Sequence, residues 1–227
     1  MPTVIAHRGA SAYERENTLA AFRAAAALGA DAIELDVRRT ADSALVVHHD
    51  PMLADGSVIV ELRADELPAH VPSLADALLA CGALRVNVEI KNLPPDPDFD
   101  PEETVALGVV ALVRELGLVS QVLVSSFHLP TIDRVLAIGG GGLATAFLSP
   151  EASVAHVDRA VRHGHGAYHP WHIQLTRPVV DAAHRAGLEL NTWTVDDPAR
   201  MAELLQWGVD GLITNVPDIA RSVVDRA

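Results

Sequence analysis

The sequence predicts a closed α/β barrel, a (β/α)8 or TIM barrel, with residues 1–227 forming a single domain. Three observations favour it: short β-branched runs alternate with helix-period segments along the whole chain, no low-complexity linker interrupts them, and the strand candidates number eight. A chain of 227 residues is long enough for such a barrel. A doubly wound open sheet is the alternative. It would need a glycine-rich phosphate turn after the first strand, where the chain has only Gly9.

The elements follow one another at regular intervals. The strand candidates are 3–6, 32–37, 85–90, 121–125, 143–147, 165–168, 188–194 and 210–214. Helix-period segments lie between them, several opened by Thr, Ser, Asp or Pro and closed near Gly: 17–28, a helix beginning near Ser73, 102–116, 151–163, 177–186 and 198–206. We expect the apolar run 44–48 to pair with the second strand. We also expect the glycines at 139–142 to form a helix-to-strand turn, and the acidic, proline-rich stretch 93–100 to be a solvated loop.

The composition excludes several classes of function. A net charge of −13 argues against nucleic acid or anionic membranes as partners, because both bind basic surfaces. No apolar stretch approaches the roughly 20 residues that cross a bilayer, and the first residues do not have the pattern of a secretory signal. The single cysteine, Cys81, excludes an internal disulfide and fits a reducing compartment. We therefore expect a cytoplasmic protein without stable membrane insertion. The composition gives no indication of the oligomeric state.

Three acidic residues mark the ends of two neighbouring strand candidates. Glu34 and Asp36 are two positions apart in the second strand, so both side chains point to one face, and Glu89 lies at a similar depth in the third. In a (β/α)8 barrel the carboxyl ends of the strands carry the active site. Carboxylates that converge there repel one another unless a hard cation lies between them. The pattern therefore predicts a Mg²⁺ or Ca²⁺ site, with separate pairing of each acid to an arginine as the alternative.

Two of the eleven histidines stand apart from the rest. His7 ends the first strand, and His49 follows the run "ALVVHH" directly before Asp50. Alternation along 44–49 sends His48 and His49 to opposite sides, so only one of them faces the site. Paired imidazoles near a cation can act as general base and general acid. Weaker candidates for substrate contact are His165, His169 and His172.

Two cationic residues lie among these acids, Arg8 after the first strand and Lys91 after the third. Lys91 is the only lysine in the chain. A guanidinium and an ammonium beside a divalent ion suit a phosphate, whose charge spreads over several oxygens. The alternative for Lys91 is an ordinary salt bridge to Glu89. Because arginine serves at every other basic position, we favour separate roles for the two residues, Glu89 toward the cation and Lys91 toward the phosphate.

The ordered motifs resemble the glycerophosphodiester phosphodiesterase family. The matches are "AHRGAS" (6–11), "ENTLAAF" (16–22), "IELDVRRTAD" (33–42), "HHDPML" (48–53), "VPSLADAL" (71–78), "VEIKN" (88–92), "VSSF" (124–127), "NTWTVDD" (191–197) and "GVDGLITNVPD" (208–218). They keep the family order from residue 5 to about 218. The resemblance implies a (β/α)8 fold and hydrolysis of a small-molecule glycerophosphodiester, such as a deacylated phospholipid, to sn-glycerol 3-phosphate and an alcohol.

The same resemblance implies a role for each candidate residue. His7 and His49 match the acid/base pair; Glu34, Asp36 and Glu89 match the ligands of a divalent cation, usually Ca²⁺ or Mg²⁺; Arg8 and Lys91 match the phosphate contacts; and Trp193 matches an aromatic on the glycerol side of the pocket. Two departures stand out. Arg15 replaces a proline before "ENT", which adds charge at the rim, and "ADGSVIV" (54–60) replaces the usual Arg-Thr-Thr.

Other barrel chemistries fit the residues less well. A Schiff-base lysine, as in aldolases, requires a desolvated lysine without a metal triad beside it. An enolase-like enzyme would need a capping domain for which the chain has no room. A phospholipase D-like or other phosphodiester hydrolase on the same barrel shares the two histidines and is the nearest alternative.

Overall fold

Eight parallel strands close into a barrel in a computed structural model that describes all 227 residues. The strands of the sheet, with one short antiparallel strand added, are β1 (Thr3–His7), β2 (Ala32–Arg39), β3 (Leu45–Val47), β4 (Arg85–Ile90), β5 (Val122–Ser126), β6 (Ala144–Ser149), β7 (Ala167–Pro170), β8 (Glu189–Thr192) and β9 (Gly211–Thr214). The helices are α1 (Leu19–Ala27), α2 (Leu74–Ala80), α3 (Thr104–Glu115), α4 (Leu129–Ile138), α5 (Val154–His163), α6 (Arg177–Arg185), α7 (Pro198–Trp207) and α8 (Pro217–Val224).

The barrel closes because β1 pairs with both the last strand and the next one. The strand order is β1-β9-β8-β7-β6-β5-β4-β2, and β1 also pairs in parallel with β2. β3 lies antiparallel to β2 on the outer edge, with Val47 opposite Val37. The predicted (β/α)8 fold, the pairing of 44–48 with the second strand and the turn at 139–142 between α4 and β6 are all confirmed.

Alternation along each strand divides the core into two layers. Outward-facing residues of β2 and β4, such as Ile33, Leu35 and Val88, are fully buried against the surrounding helices. Inside the barrel small clusters fill the space, one of them formed by Ile5, Ala32 and Ile213. The apolar residues therefore hold the outer layer together, while the inner face is left for polar residues near the carboxyl ends of the strands.

Side-chain caps set the starts of two early helices. Ser73 accepts a hydrogen bond from the backbone N–H of Asp76, so α2 begins at the predicted position. Thr18 caps α1 in the same way, through the N–H of Ala21. The predicted start at residue 17 is wrong by two residues. Asn17 has a left-handed backbone, with φ of 56°, and its side chain is bonded to β2 instead.

Most strand boundaries differ from the prediction by one or two residues, and two of them have a local cause. β7 begins at Ala167 instead of residue 165, because Gly164 ends α5 in the left-handed conformation and the next two residues complete the turn. β8 ends at Thr192 instead of residue 194, since Val195 already bonds to the carbonyl of Ile213. Helices α4 and α8, which were not among the predicted segments, occupy the two remaining positions around the barrel.

The prediction of a solvated loop at 93–100 is wrong for its aspartates. Arg38, only 3% exposed, donates two hydrogen bonds from Nη1 to Asp98, at 2.8 and 2.7 Å, and one from Nη2 to Asp96. Asp98 and Asp100 are themselves buried. The loop therefore packs on the end of β2, where a buried guanidinium requires acidic partners. Separately, every helix is too short or too polar to span a bilayer.

Acidification is expected to destabilise the barrel through His169. Burial lowers its pKa from 6.5 to about 3, so between these values the unfolded chain binds one more proton than the folded chain. The free energy of unfolding should therefore fall as pH drops below 6.5, by up to about 1.4 kcal/mol per pH unit from this residue. Urea unfolding at pH 7 and at about pH 5.5 measures this change. Between the two pH values the free energy of unfolding of His169→Gln should fall by about 1 kcal/mol less than that of the wild type.

The matched control is His184→Gln, which replaces a histidine on the exposed face of α6. It should lose as much stability as the wild type between the two pH values. An equal loss in His169→Gln and the wild type would contradict the prediction.

Candidate active site

One cleft at the carboxyl ends of the strands gathers most of the predicted site residues. It has a volume of about 430 Å³ including its open mouth. Its lining consists of His7, Arg8, Glu34, His49, Asn87, Glu89, Lys91, Phe127, Leu148, Trp193 and Ile213. Asp36, the remaining predicted ligand, is buried beside this lining and is 1% exposed. The structure thus brings together all eight residues that sequence reasoning selected.

A tight turn after β1 places the first of these residues. Arg8 and Gly9 both have a left-handed backbone, with φ of 57° and 81°. A Cβ at Gly9 would lie 2.6 Å from the backbone carbon of Ala21 in α1, so only glycine fits. The turn directs the backbone N–H of Arg8 to Glu34 Oε2, at 2.9 Å. Backbone geometry, as well as side-chain charge, therefore holds Glu34 in place.

Strand register brings the three carboxylates together. Asp36 in β2 lies opposite Glu89 in β4, and Glu34 lies opposite His7 in β1. Paired residues of parallel neighbours face the same side, so all three acids point inward. One oxygen from each of Glu34, Asp36 and Glu89 lies within 4.8 Å of the others, and all three residues are buried.

Arg8 and Lys91 offset part of this negative charge. Arg8 Nε lies 3.3 Å from Asp36 Oδ2, and Lys91 Nζ lies 3.0 Å from Asp36 Oδ1 while also bonding to Glu89. Burial opposes ionisation of Asp36, but the two cations outweigh it and hold its pKa below the usual range. Burial also disfavours the charge on Lys91, yet Glu89 and Asp36 raise its pKa. The sequence interpretation gave Glu89 and Lys91 separate roles, whereas the structure shows an ion pair between them.

A neighbouring amide, which sequence reasoning did not select, orients Asp36. Asn17 donates from Nδ2 to Asp36 Oδ2 at 2.7 Å, and its Oδ1 accepts the backbone N–H of Asp36 at 3.3 Å. Asn17 is 3% exposed. The signal was present in the motif "ENTLAAF", but nothing in the local pattern showed that this side chain reaches β2.

The donor set fits a hard divalent cation. Glu34 Oε1 is buried without a hydrogen-bond donor, and Asp36 Oδ1 makes only an ion pair with the Lys91 ammonium, at 3.0 Å and without hydrogen-bond geometry. Burial, together with the carboxylates of Asp36 and Glu89, raises the pKa of Glu34 well above its usual value. Buried carboxylate oxygens that lack donors and repel one another are the ligands that Mg²⁺ and Ca²⁺ take in proteins. The site therefore carries more negative charge than Arg8 and Lys91 neutralise.

A chain of hydrogen bonds sets the tautomer of His7. The carboxylate of Asp196 can only accept, so the Asn215 amide must present its Nδ2 to it, at 2.6 Å. Asn215 Oδ1 then faces His7 Nδ1 at 2.8 Å and accepts its proton. Nε2 is left as an unprotonated nitrogen in the cleft, 4.0 Å from Glu34 Oε2. Burial and the nearby Arg8 guanidinium lower the pKa of His7 from 6.5 to about 4, so the ring is neutral near pH 7.

His49 reaches the cleft from the loop after β3. Its Nδ1 lies 2.7 Å from Asp50 Oδ1. A carboxylate therefore orients the ring of His49, whereas an amide orients the ring of His7. Burial lowers the pKa of His49, while Asp36 and Asp50 partly restore it. His48 does not line this cleft, in agreement with the expectation that only one of the two histidines faces it; it lines a neighbouring pocket that contains Arg15 and also borders His49.

An aromatic pair forms another wall of the cleft. The indole N–H of Trp193 donates to the backbone carbonyl of His169 at 2.9 Å. Its ring meets Phe127 edge to face, with centroids 5.5 Å apart. These contacts fix the indole against one side of the cleft, and the Lys91 ammonium lies 5.9 Å from the centroid of the Phe127 ring.

The three weaker histidine candidates do not line the cleft. His165 is buried among α4, α5 and β6, bonded to Thr145. His169 lies inside the barrel, where its Nε2 lies 3.1 Å from the amide nitrogen of Asn191. His172 lies outside the cleft, beyond β7, where its carbonyl accepts a hydrogen bond from Arg200. The expectation that they touch substrate is therefore wrong.

The chain is similar to known proteins along almost its whole length. A profile of the glycerophosphoryl diester phosphodiesterase family matches residues 7–219. A glycerophosphodiester phosphodiesterase of Caldanaerobacter subterraneus subsp. tengcongensis is 30% identical, over 97% of each chain. The crystal structure of a glycerophosphodiester phosphodiesterase from Parabacteroides distasonis superposes with a TM-score of 0.86 at 26% identity, covering 99% of this chain and 98% of that one.

A further solved structure shares the fold at lower identity. It is a phosphodiesterase of Oleispira antarctica, in complex with its product sn-glycerol-3-phosphate, with a TM-score of 0.89 and 23% identity over 99% of this chain and 97% of that one. The family profile and the Caldanaerobacter relative both extend over the strands and loops that build the cleft. The chain belongs to the glycerophosphoryl diester phosphodiesterase family.

Proposed function

We propose that this protein hydrolyses glycerophosphodiesters, such as deacylated phospholipids, to sn-glycerol 3-phosphate and an alcohol, with the help of a divalent cation. One observation carries the proposal: two histidines, three carboxylates, an arginine and a lysine meet around a single cleft. Family membership supports the reaction class. No contact in the cleft favours the phospholipase D-like alternative.

Glu34, Asp36 and Glu89 are the residues that would hold the cation, Ca²⁺ or Mg²⁺. When bound, the ion would act as a Lewis acid that stabilises the negative charge growing on the phosphate oxygens. Its binding would also relieve the mutual repulsion of the three carboxylates. The all-oxygen ligand set supports a hard ion over a transition metal.

Arg8 and Lys91 would neutralise the rest of the phosphate charge. Both already lie beside Asp36, so their positions are set before substrate arrives. Preorganised cations of this kind require little rearrangement as charge develops in the transition state. A cation between the carboxylates would weaken the hold of Glu89 and Asp36 on Lys91, which frees its ammonium for the phosphate.

The two histidines have different environments, and these suggest different roles. His7 is neutral, and its unprotonated Nε2 faces the cleft, so we assign it as the general base that takes the proton of the attacking hydroxyl. His49 lies beside the Asp50 carboxylate, which stabilises its protonated form. It would give its proton to the departing alkoxide oxygen as the ester bond breaks. One proton enters at His7 and one leaves from His49, so the pair must exchange protons with solvent after each turnover.

The wall formed by Trp193 and Phe127 would face the glycerol carbons. Such a wall offers apolar contact without competing for the phosphate. Arg15 lies in the neighbouring pocket that His49 also borders, where it would meet the departing headgroup. An exposed arginine there would favour anionic or neutral headgroups over cationic ones.

The activity is tested by measuring sn-glycerol 3-phosphate release from a panel of glycerophosphodiesters with different headgroups. We expect release in the presence of Ca²⁺ or Mg²⁺, and a loss of at least tenfold after EDTA treatment that either ion reverses. Bis(p-nitrophenyl) phosphate, which lacks glycerol, is the comparison substrate. No release from any member of the panel with either ion would refute the proposal.

Replacing the proposed base should remove most of the activity. His7→Ala is expected to lower kcat by roughly 10²–10⁴-fold, the usual contribution of a general base. Asn215→Leu should lower kcat less, because it removes only the group that fixes the tautomer. Because the Asn215 hydrogen bond raises the pKa of His7, the acidic limb of the pH–rate profile should move to lower pH in this variant.

Steady-state kinetics and circular dichroism would check both variants. His184→Ala on the exposed face of α6 is the control, and it should retain wild-type kinetics. Full activity in a folded His7→Ala protein would exclude His7 as the base.

Lys91 should not tolerate its nearest chemical substitute. In Lys91→Arg a broad planar guanidinium would have to occupy a buried site shaped for one ammonium, 3.0 Å from Asp36 Oδ1. We expect the variant to fold and kcat/KM to fall by about 10²-fold. Lys91→Met, which removes the charge, should also lower kcat/KM. If Lys91→Arg keeps wild-type kcat/KM while Lys91→Met does not, only the charge is required and the proposed point-charge role is wrong.

A further inference from the structure

A second cluster of metal-ligating side chains lies away from the cleft. Asp133 is in α4, His163 is the last residue of α5, and His165 lies just before β7. One ligand atom from each of the three lies within 4.8 Å of the others. His163 Nδ1 is 2.9 Å from Asp133 Oδ2, and His165 Nε2 is 3.1 Å from Asp133 Oδ1.

The environment of His165 is the independent observation that points to a ligand. Its side chain is completely buried. Nδ1 lies 2.9 Å from Thr145 Oγ1, which satisfies that side of the ring. Nε2 has no hydrogen-bond partner, although Asp133 Oδ1 is only 3.1 Å away, because the oxygen lies off the axis along which the nitrogen would donate. A buried ring nitrogen therefore points into the cluster without a partner.

We propose that Asp133, His163 and His165 bind a transition-metal ion of the Zn²⁺ class, with water completing its coordination. Imidazole nitrogen suits Zn²⁺, Co²⁺ and Ni²⁺, whereas Mg²⁺ and Ca²⁺ prefer oxygen. Ligands about 2.0–2.1 Å from a tetrahedral ion lie roughly 3.3 Å from one another. The observed separations of 2.9 and 3.1 Å are close to this spacing.

The geometry also explains the unpartnered nitrogen. A metal lies on the lone-pair axis of each imidazole, so the carboxylate oxygen that shares the metal must lie off that axis. This is the arrangement of His165 and Asp133. His163 Nδ1 is hydrogen-bonded to the Asp133 carboxylate, at 3.0 and 2.9 Å, so this nitrogen would exchange that bond for the ion.

Local backbone structure supports a cation at this place. His163 ends α5, where the carbonyl groups of the last turn carry partial negative charge. Gly164 follows in the left-handed conformation, with φ of 81°, and this turn brings His163 and His165 to the same side. Their rings lie nearly parallel, 13° apart, with centroids separated by 6.2 Å.

The position of the cluster suggests a structural role. The connection from α5 to β7 runs at the amino ends of the strands, opposite the catalytic cleft. An ion there would join α4 to the connection between α5 and β7 without touching substrate. Asp133 and His163 are each 37% exposed on their side chains, so an ion can enter from solvent.

Co²⁺ and Zn²⁺ titration of the full chain would test the site by calorimetry, visible absorption and thermal melting. The titration is repeated in Glu34→Gln/Glu89→Gln, so that the carboxylates of the cleft no longer bind metal. This variant should bind one equivalent of Co²⁺. The bound ion should show the visible absorption of four-coordinate Co²⁺. Its melting temperature should rise by about 5–10 °C when free Zn²⁺ is 100 times the dissociation constant.

Two further substitutions remove the site, each added to Glu34→Gln/Glu89→Gln so that the carboxylates of the cleft do not contribute binding. His163→Gln and Asp133→Asn, both at partly exposed positions, should each abolish this binding and the rise in melting temperature. The matched control is His184→Gln, since His184 pairs with Asp210 at 3.0 Å without a third ligand. It should bind metal like the wild type.

Either of two results would overturn the proposal. One is the absence of Co²⁺ and Zn²⁺ binding in Glu34→Gln/Glu89→Gln, with only the ordinary His–Asp ion pairs remaining. The other is unchanged binding in His163→Gln. Because the readouts are metal stoichiometry, absorption and melting, neither result depends on the phosphodiesterase activity.

Discussion

The burial of three carboxylates at one point is the constraint on which the rest of the active site depends. Glu34, Asp36 and Glu89 would repel one another in a medium that screens charge poorly, so each requires a compensating group. The backbone N–H of Arg8, its guanidinium, the ammonium of Lys91 and the amide of Asn17 provide part of that compensation. The negative charge that they leave uncompensated is the electrostatic basis of the proposed cation site. The same groups are then already in place for a phosphate.

Closure of the barrel links this charge cluster to the proposed base. His7 ends the first strand, Asn215 follows the last, and Asp196 lies in the loop between β8 and α7. Their hydrogen bonds exist only because β1 pairs with β9. The tautomer of His7, and with it the direction in which a proton can move, is therefore a consequence of the barrel topology. The proposed base is thus held by a residue 208 positions away in sequence.

Much of the fold and the site could be predicted because the signals are local. Strand periodicity identified the barrel, and alternation within one strand placed Glu34 and Asp36 together and separated His48 from His49. The predictions that were wrong concern residues whose partners are distant in the sequence. Asp98 was expected in solvent, but it is buried against Arg38 from β2, which lies 60 residues earlier in the sequence. Helix α1 was expected to begin at Asn17, but the bond from that side chain to Asp36 overrides helix propensity.

The sequence by itself determined which chemical groups are present and which face of each strand carries them, because a period of two residues is a property of the strand alone. Only the tertiary structure decided how those groups pair. Lys91 bonds to Glu89 and Asp36 together, while burial keeps His7 neutral and Asn215 decides which of its ring nitrogens carries the proton. Both results depend on strand order, register and burial. Electrostatic interactions act between groups that are close in space, whatever their separation along the chain, so their outcome required the folded barrel.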